Sequence, residues 1–228
     1  MPALTKIAAP FYEMPEMRER EMARLILLPG AALSDADDAT LARAMIARDP
    51  QGPRVLWQRF APMVFRMLKR SLGPGHDIED LAQEVFLCVF DKVRGLREPK
   101  ALKAFVISVT VLTTRHELRR RWVRRWVRLS KDTDAAETEI VTPDTDAREA
   151  LTRFYQILDR VNVNDRTAFA LRYMEGLELT EVASALGLSL ATTKRRLARV
   201  WNRVVLLVER DPLLVQYRPK PEDTETSS

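Results

Sequence analysis

Residues 179–204, LTEVASALGLSLATTKRRLARVWNRV, read as two short helices joined by a tight turn. Ala183 offers the small side chain that a close helix crossing needs. Gly187, four residues on, accepts the positive φ at which the first helix closes. Thr180 stands before Glu181 and the apolar Val182, Ala183 and Leu186, while Ser189 is placed to cap the second helix. In that second helix Leu190, Thr193, Leu197, Val200 and Val204 recur at helical spacing and form a core stripe. At about 100° per residue the opposite side carries Thr192, Arg195, Arg196, Arg199 and Arg203, with Lys194 on the flank. Guanidinium forks suit guanine edges, and hydroxyls with helix N-terminal amides suit phosphate oxygens. A solvated basic face on an ordinary helical hairpin is the plainer reading of the same pattern.

The chain of 228 residues carries 37 Lys and Arg against 32 Asp and Glu, so the formal charge is +5. That length allows one large or two small domains. Cys88 is the only cysteine, and His76 and His116 are far apart. Neither an intrachain disulfide framework nor a metal site is expected, and no cofactor is implied. The opening residues lack the order of a signal peptide, and no run approaches ~20 apolar residues, so a cytoplasmic protein without membrane insertion is expected.

Residues 1–33 read as an extension around one helix, Glu16 to Leu28, bracketed by prolines. Ser34 is expected to cap a helix with Leu41, Met45 and Ile46 on its inner face, closed by Asp49-Pro50. The next helix buries Val55, Leu56, Phe60, Met63, Val64, Met67 and Leu68 and stops at Gly73-Pro74-Gly75. After Asp77, Ile78, Leu81, Val85, Phe86, Val89 and Val93 face inward. Asp80, Gln83, Glu84 and Asp91 line the outer side.

A basic loop, RGLREPK at residues 94–100, leads to a long helix whose apolar positions are Phe105, Val109, Leu112, Leu118, Trp122, Trp126 and Leu129. Its second half sets Arg115, Arg119, Arg120, Arg121, Arg124, Arg125, Arg128 and Lys131 against the single Glu117. Cations at that density neutralise phosphates, and the interleaved tryptophans are suited to stacking on bases. A packing stripe is the plainer reading of Trp122 and Trp126.

Residues 130–147 turn acidic and nearly lose aromatic content, as a linker does. Beyond it, Leu151, Phe154, Ile157, Leu158 and Val161 make a further stripe, and Asn164 is placed to cap the next helix. Asp211-Pro212 ends regular structure before a polar tail. The fold class is therefore all-α: two small helical domains joined by a flexible acidic linker, the second holding the helix-turn-helix. The boundaries fall at 1–33 (extension), 34–129, 130–147 (linker), 148–208 and 209–228 (disordered tail).

Taken together, LWQRFAPMVFRMLKRSLG (56–73), DIEDLAQEVFLCVF (77–90) and DRTAFALRYMEGLELTEVASALGLSLATTKRRLARVW (165–201) resemble bacterial sigma factors of the extracytoplasmic-function group. The resemblance covers roughly residues 34–205. It implies a subunit without chemistry of its own that directs core RNA polymerase to promoters. Asp80, Gln83 and Glu84 then match the face that docks on the clamp helices of the largest polymerase subunit; the polymerase flap is a second implied contact. The loop around Arg94, Arg97, Lys100 and Lys103 matches the segment that captures a flipped minus-ten base. The following helix, with Arg115, Arg119, Arg120 and Trp122, matches the one that lies along the melted strand. Thr192, Lys194, Arg195, Arg196 and Arg199 match the minus-thirty-five reading helix, and Arg166 and Arg172 match basic positions of its supporting helices. An anti-sigma factor is a further implied partner, and in the free chain the two domains, packed together or held by it, would hide both DNA surfaces. The chain departs from the pattern at Val111, Leu112 and His116, where the family often has an Arg-Asn pair and an Asp, and at Phe105, where it usually has Trp. The other function class is a stand-alone helix-turn-helix regulator that binds a duplex operator as a dimer.

Overall fold

The computed structural model describes residues 31–74, 77–129 and 145–215. The expected helix at 16–28, most of the acidic linker, His76 and the end of the polar tail lie outside them. The described residues form helices α1 (Ala31–Ser34), α2 (Asp38–Ile46), α3 (Gly52–Leu72), α4 (Ile78–Lys92) and α5 (Leu102–Leu129), then α6 (Thr145–Leu158), α7 (Val163–Phe169), α8 (Leu179–Leu186) and α9 (Leu190–Glu209). Two 3₁₀ turns, Val93–Gly95 and Pro99–Ala101, carry the chain from α4 to α5, and a π-helical turn, Ala170–Met174, follows α7.

Helices α2 to α5 enclose the first core. Leu41, Leu56, Val64, Leu68, Val85, Phe86, Val89, Leu102 and Val106 are all fully buried in it. The stripes on α3 and α4 were legible from spacing, because each places an apolar residue on the same face at every turn. Ile46 departs from its expected inner face and is exposed. Of the buried hydroxyls of α5, that of Thr113 has no hydrogen-bond partner among the described residues, whereas two turn back on their own helix: Thr110 donates to Val106 O at 2.9 Å and Thr114 to Thr110 O at 2.8 Å. That removes the penalty of burying them unpaired.

Two caps move from their expected positions. Ser34 ends α1, and Asp37 caps α2 by accepting the Thr40 N–H at 2.8 Å. Asn162 caps α7 by accepting the Asp165 N–H at 3.0 Å, so Asn164 lies inside the helix. In each case the capping residue has the extended backbone that a cap requires.

The second half is smaller. Leu158, Phe169, Val200 and Val204 form its centre, joined by Phe154, Tyr155 and Met174. α6 begins at Thr145, earlier than the stripe from Leu151 implies. The tail expected from residue 209 opens with a packed turn: Asp211 accepts the N–H groups of Leu213 and Leu214, and Leu214 is buried with Ala150 and Ile157.

Candidate nucleic-acid and polymerase interfaces

The helix-turn-helix forms where the sequence places it. α8 ends on Gly187 with φ 66° and ψ 35°, a left-handed conformation that favours glycine. Val182 and Ala183 are buried beneath the turn. Ser189 has an extended backbone and accepts the Thr192 N–H at 3.2 Å, so the first turn of α9 is capped. Thr193, Leu197, Val200 and Val204 are buried. Leu190, expected in the same stripe, is 46% exposed, because it sits on the first turn, ahead of the crossing with α8.

On the outer face Lys194, Arg195, Arg199 and Arg203 are exposed and Thr192 is half-buried. Arg196 turns inward: its Nε lies 3.7 Å from Asp165 Oδ1 on α7. Spacing alone places Arg196 beside Arg195; only the presence of a buried aspartate on α7 separates them. Arg172, on the π-helical turn, donates to Leu177 O at 2.8 Å and braces the approach to α8.

The second basic surface lies on α5 and the turns before it. Arg94, Arg97 and Lys100 are exposed, as are Arg119, Arg120 and Trp122, the last at 58%. Trp122 therefore does not continue a packing stripe; the places of Trp126 and Leu129 lie outside the described side chains. Glu117, only 8% exposed, draws three arginines of this helix onto one carboxylate. Arg121 Nε and Arg124 sit 3.2 Å from Oε1, and Arg120 Nε 3.4 Å from Oε2. The net positive field of the helix is smaller than its arginine count, and these guanidinium groups are oriented by a shared acceptor.

One stripe of α5 faces the other half of the molecule, with its apolar middle buried and Lys103 at its start still exposed. Lys103, Ile107, Val111 and Arg115 recur every four residues, which stacks them on one helix face. Lys103 Nζ lies 3.3 Å from Glu181 Oε1 on α8. Ile107 and Val111 are 2% and 1% exposed, packed with Met67, Leu171 and Val182. Arg115 bonds Asn164 on α7. Burial works against the Arg115 charge, and the positive charges of Arg119 and Arg196 add to that effect. Cations expected on the two DNA-facing surfaces thus meet at this seam, although Lys194, Arg195 and Arg199 stay open. The expectation that domain packing hides both surfaces is corrected: it buries Ile107 and Val111 of α5 and leaves Lys103 and the outer face of α9 exposed.

The acidic face of α4 is divided as well. Asp80 and Gln83 are exposed. Glu84 is half-buried, and desolvation raises its pKa, opposed by the nearby His116 and Arg120 and reinforced by Glu117. It sits between the acidic face and α5 instead of wholly on the outside. Among the described residues no group of three His, Cys, Asp or Glu is arranged to hold a metal, and Cys88 is buried. No described helix is long and apolar enough to cross a membrane.

Comparison with known proteins matches these two halves separately. The model for Sigma-70 region 2 matches residues 56–124 and that for Sigma-70, region 4 matches residues 151–201. The RNA polymerase sigma factor NccH of Alcaligenes xylosoxydans xylosoxydans is 25% identical over 180 residues, covering 75% of this chain and 97% of that one. The ECF RNA polymerase sigma factor SigE of Mycolicibacterium smegmatis is 29% identical over 171 residues, covering 72% and 66% of the two chains. Among solved structures, CnrH in complex with the cytosolic domain of CnrY superposes with a TM-score of 0.56 at 18% identity, over 76% of this chain and 98% of that one. The helical architecture is shared.

Proposed function

This chain belongs to the extracytoplasmic-function group of the sigma-70 family, and from that premise we propose which of its surfaces meets which partner as it directs promoter-specific transcription. α9 enters the major groove of the minus-thirty-five element. Thr192 and the helix N-terminus take phosphate oxygens, and Lys194, Arg195 and Arg199 read or flank the base edges. Arg196 joins them only after leaving Asp165.

The turns bearing Arg94, Arg97 and Lys100, together with Lys103, hold the minus-ten region. Arg115, Arg119, Arg120 and Trp122 track the separated strand. Unstacking a base costs a few kcal/mol, which stacking on an exposed indole and pairing of phosphates with guanidinium groups offset. Asp80, Gln83 and Glu84 dock on the clamp helices of core polymerase. The chain contributes no chemistry of its own; polymerase supplies the active site, in the cytoplasm. An anti-sigma factor is a partner proposed on family membership.

The observation that carries this reading is the order of the two matches: a region 2 half bearing the α5 surface, then a region 4 half bearing α9. A regulator acting alone on duplex operators has no use for the first half. A binding experiment with purified core polymerase tests the docking face. The unaltered chain should bind, and Asp80→Arg with Gln83→Arg should reduce affinity at least tenfold, or ~1.4 kcal/mol. Equal binding by the double variant would remove these residues from the interface.

A further inference from the structure

Arg196 stands among the exposed cations of α9 and yet is held off their face. Lys194, Arg195, Arg199 and Arg203 are exposed, whereas the Arg196 side chain is only 22% exposed. Nothing in the helix itself requires this. Thr192, Arg196, Arg199 and Arg203 recur at steps of three or four residues and share a face, so a change of rotamer carries the Arg196 guanidinium onto it without moving the backbone. The hold comes from one carboxylate. Asp165, 6% exposed on α7, brings Oδ1 to 3.7 Å from Arg196 Nε, and its Oδ2 accepts the Asn162 amide at 2.7 Å. Asn162 fixes Asp165 a second time, since its own Oδ1 accepts the Asp165 N–H at 3.0 Å. The carboxylate is therefore rigid, but its distance to Arg196 is longer than a hydrogen bond. Arg196 Nε is buried and has no hydrogen-bond partner among the described residues. Arg115 of α5 also lies close enough for the two positive charges to oppose each other.

We propose that Asp165 is a gate on sequence reading, which keeps Arg196 away from random duplex DNA and yields it only to a base pair that offers two acceptors. Leaving Asp165 strips a buried carboxylate of its cation, which is costly. A phosphate oxygen offsets little of that cost, because Lys194, Arg195 and Arg199 already reach the backbone without leaving a buried partner. Guanine offers O6 and N7 to the guanidinium fork, and such a bidentate pair discriminates against a wrong base by roughly five- to a hundredfold. That gain is large enough to draw Arg196 out, since the hold is an ion pair that lacks a hydrogen bond. Arg196 is then the residue that sets specificity at the position it reads. Asp165 is a positioning residue that lowers affinity for every other sequence.

The gate rests on α9 being the helix that reads duplex DNA, and the test separates the two. Fluorescence anisotropy of the full chain on a random-sequence duplex, followed over a salt series, counts the phosphates neutralised. Arg195→Ala should flatten the plot of log affinity against log salt by about 0.9, the slope of one contact, and Arg196→Ala should flatten it much less. Asp165→Asn should steepen it by about 0.9 and raise low-salt affinity severalfold, because Arg196 now reaches a phosphate. When Asp165→Asn is combined with Arg196→Ala the steepening should disappear, which the mere loss of a negative charge does not explain. The second arm uses the sequence that the unaltered chain selects from a duplex pool randomised over one helical turn. On it Arg196→Ala and Arg196→Lys should each lose roughly tenfold in affinity, since lysine keeps the charge without the fork. An unchanged slope in Asp165→Asn, with Arg195→Ala acting as expected, overturns the gate alone, and so does steepening that survives in the double variant. Equal losses by Arg196→Ala on selected and random duplex, or a pool that yields no preferred sequence, overturn its role in specificity. If Asp165→Asn fails to fold, equal flattening by Arg195→Ala and Arg196→Ala still overturns the gate. An Arg195→Ala variant that changes nothing removes α9 from the duplex, and the reading beneath the gate fails with it.

Discussion

Lys103 Nζ lies 3.3 Å from Glu181 Oε1, pairing a cation of the region 2 half with the helix that opens the helix-turn-helix. Glu181 has a second task, since its other oxygen accepts the Glu178 N–H at 3.0 Å at the start of α8. The two contacts have different weights. The exposed ion pair is worth at most about 1 kcal/mol, whereas losing the helix-terminal bond costs on the order of 1 kcal/mol in addition. Thermal melts should therefore show Glu181→Ala as more destabilising than Lys103→Ala, and a double-mutant cycle gives the coupling across the seam.

The same carboxylate sets a pH dependence. The Glu178 N–H, and then Lys103, hold its pKa below the usual glutamate value. Its contribution is present above the unfolded pKa and is lost as pH falls through the lower folded one. Acid titration of Glu181→Gln against the unaltered chain should show the stability difference closing as pH drops through that window.

Glu84 has the opposite sign. Burial raises its pKa, so the ionised form is disfavoured in the folded chain. Its contribution is present below the unfolded pKa and is lost as pH rises through the folded one. Glu84→Gln should raise the melting temperature at neutral pH, with the gain vanishing in acid, while weakening core polymerase binding. A residue that costs stability but improves docking is held for function; a variant that is stabilised and binds polymerase equally well would contradict that role.

Glu117 restrains the cationic helix. Glu117→Gln should release Arg120, Arg121 and Arg124 from their common acceptor. Affinity for non-specific single strands should increase at low salt. The plot of log affinity against log salt should steepen by about 0.7 for each additional phosphate neutralised.

Much of this was legible in the sequence because it is local. Gly187 and Ser189 mark the turn through backbone preferences that need no tertiary context, and the stripes of α3 and α4 repeat at the helical period. What the sequence left unread is long-range. Arg196 looks equivalent to Arg195 until Asp165 is brought beneath it, and Arg166 looks like another surface cation until the end of α3 meets it. The stripe at Lys103, Ile107, Val111 and Arg115 was masked by a more obvious one through Phe105, Val109 and Leu112, because α5 is covered on two sides. The caps at Asp37 and Asn162 were displaced by neighbouring Ser34 and Asn164, residues of equal capping chemistry that lie in or beyond a helix.

The most direct test of the whole account is run-off transcription with purified core polymerase, this protein and a pool of upstream fragments from the source genome. Fragment-specific transcripts should appear that require the protein and diminish when Lys194, Arg195 and Arg199 are replaced by alanine. No transcript from any fragment, together with a protein that shifts duplex DNA without polymerase, would contradict it and leave a regulator that binds operators alone.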